Sequence, residues 1–168
     1  MEITIFKDIK DTAQPFYRDV SKILERIQEG SSQDIVRSIR EEKDKEIRNK
    51  LKQSLPAICF SGKFSKRNDS SLLEHSGLIC LDFDNFPTEK LLLEQKEFLT
   101  KDKYTYSVFI SPSGLGLKAL VKIPAEADTH KQFFNSLQHH YDSEYFDISC
   151  KNVSRVCYES YDPLVFIN

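Results

Sequence analysis

From Gly77 to Tyr161 the chain reads GLICLDFDN, PTEKLLLEQKEFLT, YTYSVFIS, GLKALVKI, ADTHKQFFNSLQHHYDSEY and SRVCYESY. Along it the apolar residues switch from a period of two to a helical period and back. The order is β-α-β-β-α-β. It predicts an α+β fold with an RRM-like, ferredoxin-like βαββαβ core: the first and third strands central in an antiparallel sheet, both helices on one face. In GLKALVKI, Leu117, Ala119, Val121 and Ile123 share one face, and Lys118, Leu120 and Lys122 the other. In the first strand, Ile79, Leu81 and Phe83 point to the helices, which leaves Cys80, Asp82 and Asp84 on the opposite, open face.

Upstream, EITIFKDI reads as a short strand. Phe16, Val20, Ile23, Leu24 and Ile27 then recur at helical spacing between Pro15 and Gly30. SSQDIVRSIREEKDKEIRNKLKQSL reads as a second helix whose EEKDKEIR run is a solvated face. PAICF is a short strand and SGKFSKRNDSS a polar, basic loop. The expected division is residues 1–56, a strand and helical segment packing on the core, and 57–168, the core itself. A chain of 168 residues, 39% hydrophobic and 30% charged, is long enough for one sizeable core. The net charge of -2 gives no overall basic signal, so contact with nucleic acid has to come from local clusters such as Lys63, Lys66 and Arg67. The N-terminus lacks signal-peptide character and no apolar run reaches membrane length, so the chain reads as cytoplasmic with no membrane partner. The four cysteines form no CxxC pair.

LDFDN places two carboxylates at the end of the most apolar run, where burying charge is unfavourable. Asp82 and Asp84 share a face and repel unless a metal ion, a Lys or an Arg sits between them. Alanine at either position is therefore expected to leave the fold intact. Beside them SPSGLGLK supplies Ser113, Gly114, Gly116 and Lys118, a turn whose backbone a phosphate can approach; taken alone the segment reads first as a glycine-containing hairpin turn, and its place beside the acidic pair is what favours the phosphate reading. Farther on, Asp147 offers a third carboxylate for Mg²⁺ or Mn²⁺, and Arg155 a planar fork for phosphate oxygens. Clustered carboxylates holding metal beside a cationic turn fit nucleotidyl transfer, in which metal activates a 3′-hydroxyl and steadies the leaving pyrophosphate. The four histidines offer no paired motif.

LDFDN resembles the acidic strand motif of the archaeo-eukaryotic primase (primase-polymerase) superfamily. SPSGLGLK resembles its second motif, and SRVCYESYDP the region near its third, in the helicase-associated, VirE N-terminal-like branch. The resemblance spans about residues 57 to 163. It implies a metal-dependent nucleotidyltransferase acting in DNA replication of a mobile element or phage, with nucleoside triphosphates and a single-stranded template as partners. It also implies a helicase domain C-terminal in a longer parent protein. By it, Asp82, Asp84 and Asp147 are catalytic metal ligands, and Ser113 and Lys118 nucleotide contacts, with Lys118 standing where many relatives carry His. Two other classes are weighed against it. A non-catalytic RRM-like nucleic-acid or nucleotide-binding module stacks bases on exposed sheet aromatics, whereas acids and lysines are expected on this face. A replication-initiator nuclease needs a His-x-His pair, which the sequence lacks.

Overall fold

The structure, a computed structural model, describes residues 1–168. Strand β1 (Glu2–Phe6) pairs antiparallel with β2 (Phe16–Asp19), and Asp19 then caps helix α1 (Val20–Glu29) by accepting from Ser21 N. Residues 16–19 are thus strand, not the first turn of the expected helix, because pairing to β1 satisfies their backbone. Gly30 closes α1 in the left-handed region, φ 88°. The expected long second helix is two, α2 (Gln33–Glu41) and α3 (Lys45–Lys52). Asp44 breaks it by capping α3, accepting from Glu46 N and Ile47 N.

Then come β3 (Ala57–Cys59), the hairpin β4 (Gly62–Phe64) and β5 (Leu72–His75), β6 (Leu78–Phe83), α4 (Glu89–Thr100), β7 (Thr105–Ile110), β8 (Leu117–Lys122), α5 (His130–Tyr141), β9 (Cys157–Tyr158) and β10 (Phe166–Ile167). The fold is α+β, with antiparallel sheets and five α-helices. One sheet has the order β2-β1-β3-β9 and the other β10-β7-β8-β6. Residues 1–56 therefore share a sheet with β3 and β9.

Two features depart from the simple split βαβ plan. First, β6 is an edge strand, because the last core segment turns away at Arg155 and its β9 pairs with β3 of the other sheet. Beside β6 stands only an isolated antiparallel bridge, Phe83 with Phe146. Second, the sheet face opposite α4 and α5 is covered along most of its length. Ile79, Leu81 and Phe83 pack with Leu92, Leu99, Phe134 and Tyr141 on the helix side, as alternation predicts. On the other side Leu78, Cys80, Phe109 and Leu120 are buried against Ile3 and Ile58 of the first sheet and Ile23, Leu24 and Ile27 of α1. The cover ends at Asp82, so the charged end of β6 borders a cavity rather than an open sheet. No helix is long and apolar enough to cross a membrane.

Candidate functional site

The register of β6 against β8 puts Lys118 directly opposite Asp82. The two side chains meet, Lys118 Nζ lying 2.6 Å from Asp82 Oδ2, and both are nearly buried. The positive group expected beside the carboxylates is, at Asp82, a lysine. Burial pulls the Lys118 ammonium down, but Asp82, with Cys157 and Asp84, outweighs it and holds Lys118 well above the ordinary lysine range. Breaking a buried pair strands its partner. The expectation that alanine at Asp82 leaves the fold undisturbed is therefore revised: it would leave Lys118 buried without its nearest acceptor.

Asp147 arrives through the bridge beside β6. Asp84 N donates to Tyr145 O at 2.8 Å, and Asp147 N donates to Asp82 O at 2.9 Å. The turn that follows brings Cys150, whose Sγ lies 3.0 Å from Asp147 Oδ2 and 3.3 Å from Asp82 Oδ2. Arg155 Nη2 closes the group at 3.5 Å from Asp82 and 3.8 Å from Asp147. Burial would raise Asp147, but hydrogen bonds from Cys150 and Ser149, with Arg155, hold it below the usual carboxylate value. Burial pushes the Cys150 thiol well up, helped by Asp82 and Asp147, so it stays a protonated donor at neutral pH.

Asp84 has no ion-pair partner within 4.0 Å, unlike Asp82. Burial raises its carboxyl, Asp82 and Asp147 push the same way, and Lys118 and Lys52 oppose them. Gly116 makes room for it: a Cβ there would run into Asp84 Oδ1 and come within 2.7 Å of Phe83 O. Gly114 serves the turn differently, at φ 74°, with Arg40 packed about 3.5 Å from where its Cβ would lie. Both glycines are thus fitted to the protein's own groups. Ser111 N donates to Gly116 O at 2.8 Å, and Ser111 Oγ lies 3.1 Å from Ser113 Oγ.

Asp82, Asp84, Ser113, Lys118 and Arg155 line one cavity of about 220 Å³, joined by Lys52 and Tyr158. Asp147 borders it through Arg155 and Cys150. Of the basic segment, Lys63 lies elsewhere: it is a β4 residue tied to Glu2 at 2.9 Å and Glu74 at 3.6 Å. Lys66 is exposed. Arg67 alone reaches the site's neighbourhood, in an adjoining hollow.

Sequence reasoning missed Lys52, Cys150 and Tyr158. Lys52 sits in the last turn of α3, in a helix read as solvated, where burial lowers its pKa and Arg48 and Lys118 add to that. Only the i,i+4 spacing of Arg48 and Lys52 hinted at a shared face. For Cys150 the hint was its place three residues after Asp147.

Asp82, Asp147 and Cys150 present ligand atoms within 4.8 Å of one another and could hold a metal ion; the two carboxylates are hard oxygen donors, while Cys150 would ligate only as a thiolate, a soft donor. Neither the curated proteins nor the solved structures offer a match to this chain. A family model does: residues 50–166, from α3 to β10 and so including every residue of the cavity, match the one described as BT4734-like, N-terminal domain, and the chain belongs to that family.

Proposed function

We propose that the chain is a metal-dependent nucleotidyltransferase of the primase-polymerase type, taking nucleoside triphosphates and a single-stranded template. The observation that carries this reading is the convergence, around one small cavity, of Asp82 and Asp84 with Lys52, Lys118, Arg155 and the Ser113 hydroxyl, with Asp147 behind Arg155 at 3.8 Å. In this reading β6, β7 and β8 are three strands of a diverged RRM-like core, and residues 145–147 stand in the fourth strand's slot. Asp82, Asp84 and Asp147 would hold Mg²⁺ or Mn²⁺, which when bound supplies Lewis-acid charge at the attacking hydroxyl and the phosphate oxygens. Lys52 and Arg155 neutralise the triphosphate, and the Ser113 hydroxyl donates to a phosphate oxygen. A helicase domain in a longer parent protein would supply the template strand.

The test is extension of a labelled strand on a single-stranded template with Mn²⁺ or Mg²⁺ and either ribo- or deoxyribonucleotides. Wild type should make product, and the near-isosteric Asp84→Asn and Asp147→Asn should not. No product from wild type under any of the four combinations would overturn the assignment. A second reading, a nucleotide-binding module without catalysis, is favoured by the 2.6 Å contact of Lys118 with Asp82, because an ammonium there already neutralises one metal ligand. It predicts that nucleotide binding persists in chelator.

A further inference from the structure

Next to the acidic cavity lies a second hollow of about 380 Å³, sharing Arg155, Val156 and Tyr158 with it. Its remaining walls are Ile9, Arg67, Asn152 and Ser154, so two guanidinium groups and no carboxylate face it. The acid of the adjoining loop, Asp69, is already engaged. Asp69 accepts from Ser154 N at 3.0 Å, from Ser154 Oγ at 2.6 Å and from Asn152 Nδ2 at 3.5 Å. These bonds pin the 152–155 turn to the loop that carries Arg67. That loop is held in turn by Arg67 N donating to Thr12 O at 2.9 Å.

The cations are under-used. Arg67 forms no ion pair; Arg155 reaches Asp82 and Asp147 only at 3.5 and 3.8 Å through Nη2, and its Nε is buried without an acceptor. Tyr158 stands between the two hollows. It shares the second hollow with both Arg67 and Arg155; burial raises its phenol, and the two guanidinium charges oppose that rise. Lys66 and Lys151, beside Arg67 and Asn152 in the chain, are exposed. An aromatic ring sharing a hollow with the unpaired Arg67 and with Arg155, whose Nε is unmet, and with no carboxylate in its walls, is what a sugar-phosphate backbone with stackable bases needs. A lone triphosphate is served by the neighbouring cavity; a strand can occupy both.

We propose that the hollow walled by Arg67, Asn152, Ser154, Arg155 and Tyr158 binds the backbone of a nucleic-acid single strand, without divalent metal, and leads it to the acidic cavity. The proposal rests on the nucleotidyl-transfer reading only for the strand's role as template. No carboxylate lines the hollow, and Arg67 touches neither the acids nor the first cavity, so strand binding through Arg67 is separable from metal, while Arg155 is shared with the acidic cavity.

The experiment is fluorescence anisotropy of a labelled oligothymidine of about 12 nucleotides, within the span of single-strand sites, titrated with the full chain in chelator across a salt series. Wild type should bind. Arg67→Ala should bind about tenfold more weakly, the scale of one charged hydrogen bond, with a log–log salt slope shallower by about 0.7. Tyr158→Leu should weaken binding with the slope unchanged, because stacking releases no counterions. Lys63→Ala, whose ammonium is tied to Glu2 and Glu74, should match wild type. Absence of wild-type binding in chelator, an unchanged affinity and slope for Arg67→Ala, or displacement of the strand by equimolar nucleoside triphosphate would each overturn the proposal. Strand binding without any strand extension would instead count against the nucleotidyl-transfer reading alone.

Discussion

Glu159 and Asp82 are both buried carboxylates held by basic side chains, yet their surroundings differ in completeness. Glu159 has no solvent exposure, and Arg26 grips it with both arms of its fork, Nε to Oε1 at 2.7 Å and Nη2 to Oε2 at 3.0 Å, while Ser32 Oγ donates to Oε2. Asp82 is nearly as buried, but Lys118, Cys150 and Arg155 all crowd onto its Oδ2, the last at 3.5 Å. Around it Asp84 has no ion-pair partner and Arg155 Nε no acceptor. The first cluster is closed and ties α1 to the segment after β9. The second holds unmet bonding capacity facing a cavity, which is where a ligand gains most from binding.

The largest effect expected from breaking this contrast is at the closed cluster. Glu159→Ala removes the shared acceptor of Arg26 and Ser32 and should destabilise by about 3–4 kcal/mol, the loss of several charged hydrogen bonds rather than a stranded buried charge, because half-exposed Arg26 can be rehydrated. Urea denaturation measures it, and nucleotide binding per folded molecule should be unchanged. A variant as stable as wild type would mean that Glu159 is no more structural than Asp82.

A third buried polar pair gives the next largest effect, through pH. Gly77 N donates to His75 Nδ1 at 3.0 Å, so His75 carries its proton on Nε2 and donates it to His130 Nδ1, also at 3.0 Å. Burial and His75 hold His130 down to about 4, with Asp69 opposing and Lys131 assisting. Burial also lowers His75. The unfolded chain protonates His130 near 6.5, above its folded value. This stabilisation is therefore fully present above about pH 6.5 and lost as pH falls towards 4, about 3 kcal/mol in all. Thermal melts at pH 7 and pH 4.5 should differ by much less in His130→Gln than in wild type.

Much of this contrast was legible in the sequence on one side only. Alternation in GLICLDF and GLKALVKI placed Ile79, Leu81 and Phe83 under the helices and brought Lys118 to Asp82, because a strand's period of two is fixed by the backbone. The cover on the other face was not legible, since Leu78, Cys80 and Leu120 carry no mark saying that α1 and a second sheet will reach them. Nor was the departure of β9 to β3: a strand's partner is set by the whole topology, and SRVCYESY alternates equally well in either sheet. Lys52 was hidden for a related reason: it is a long cation in a charged segment, and only tertiary packing distinguishes it from its solvated neighbours. The same limit applies to the basic segment, where Arg67 stands out together with Lys63 and Lys66 and only the fold shows that Arg67 alone lies beside the site.

A smaller effect sharpens the comparison from the open cluster. Gly116→Ala presses a methyl group onto Asp84 and the Phe83 carbonyl, and overpacking of this kind costs about 1–3 kcal/mol. Asp84 must move away, so the variant should lose nucleotide binding beyond what its stability explains. Calorimetric titration with nucleotide and Mn²⁺, at a temperature where the variant is fully folded, separates the two losses.

The smallest expected change in stability is at Asp84 itself, and its sign is the most informative. Burial raises this carboxyl, so the folded state disfavours its ionised form at neutral pH. By linkage the protein gains relative stability as pH falls through the folded value, the opposite of what Asp147, held low, contributes. Asp84→Asn keeps the shape, removes the charge and relieves its repulsion with Asp82 and Asp147. It should stabilise by about 0.5–1 kcal/mol, within the range of single stabilising substitutions, while abolishing strand extension. Paired melts of wild type and variant at pH 7 read the gain, and the gain should shrink as pH drops and wild-type Asp84 takes up its proton. A loss of stability at pH 7 would show that Lys52 and Lys118 already compensate Asp84 in full. The open cluster would then be as closed as the one at Glu159, and the cavity would lose its claim to be the site of chemistry.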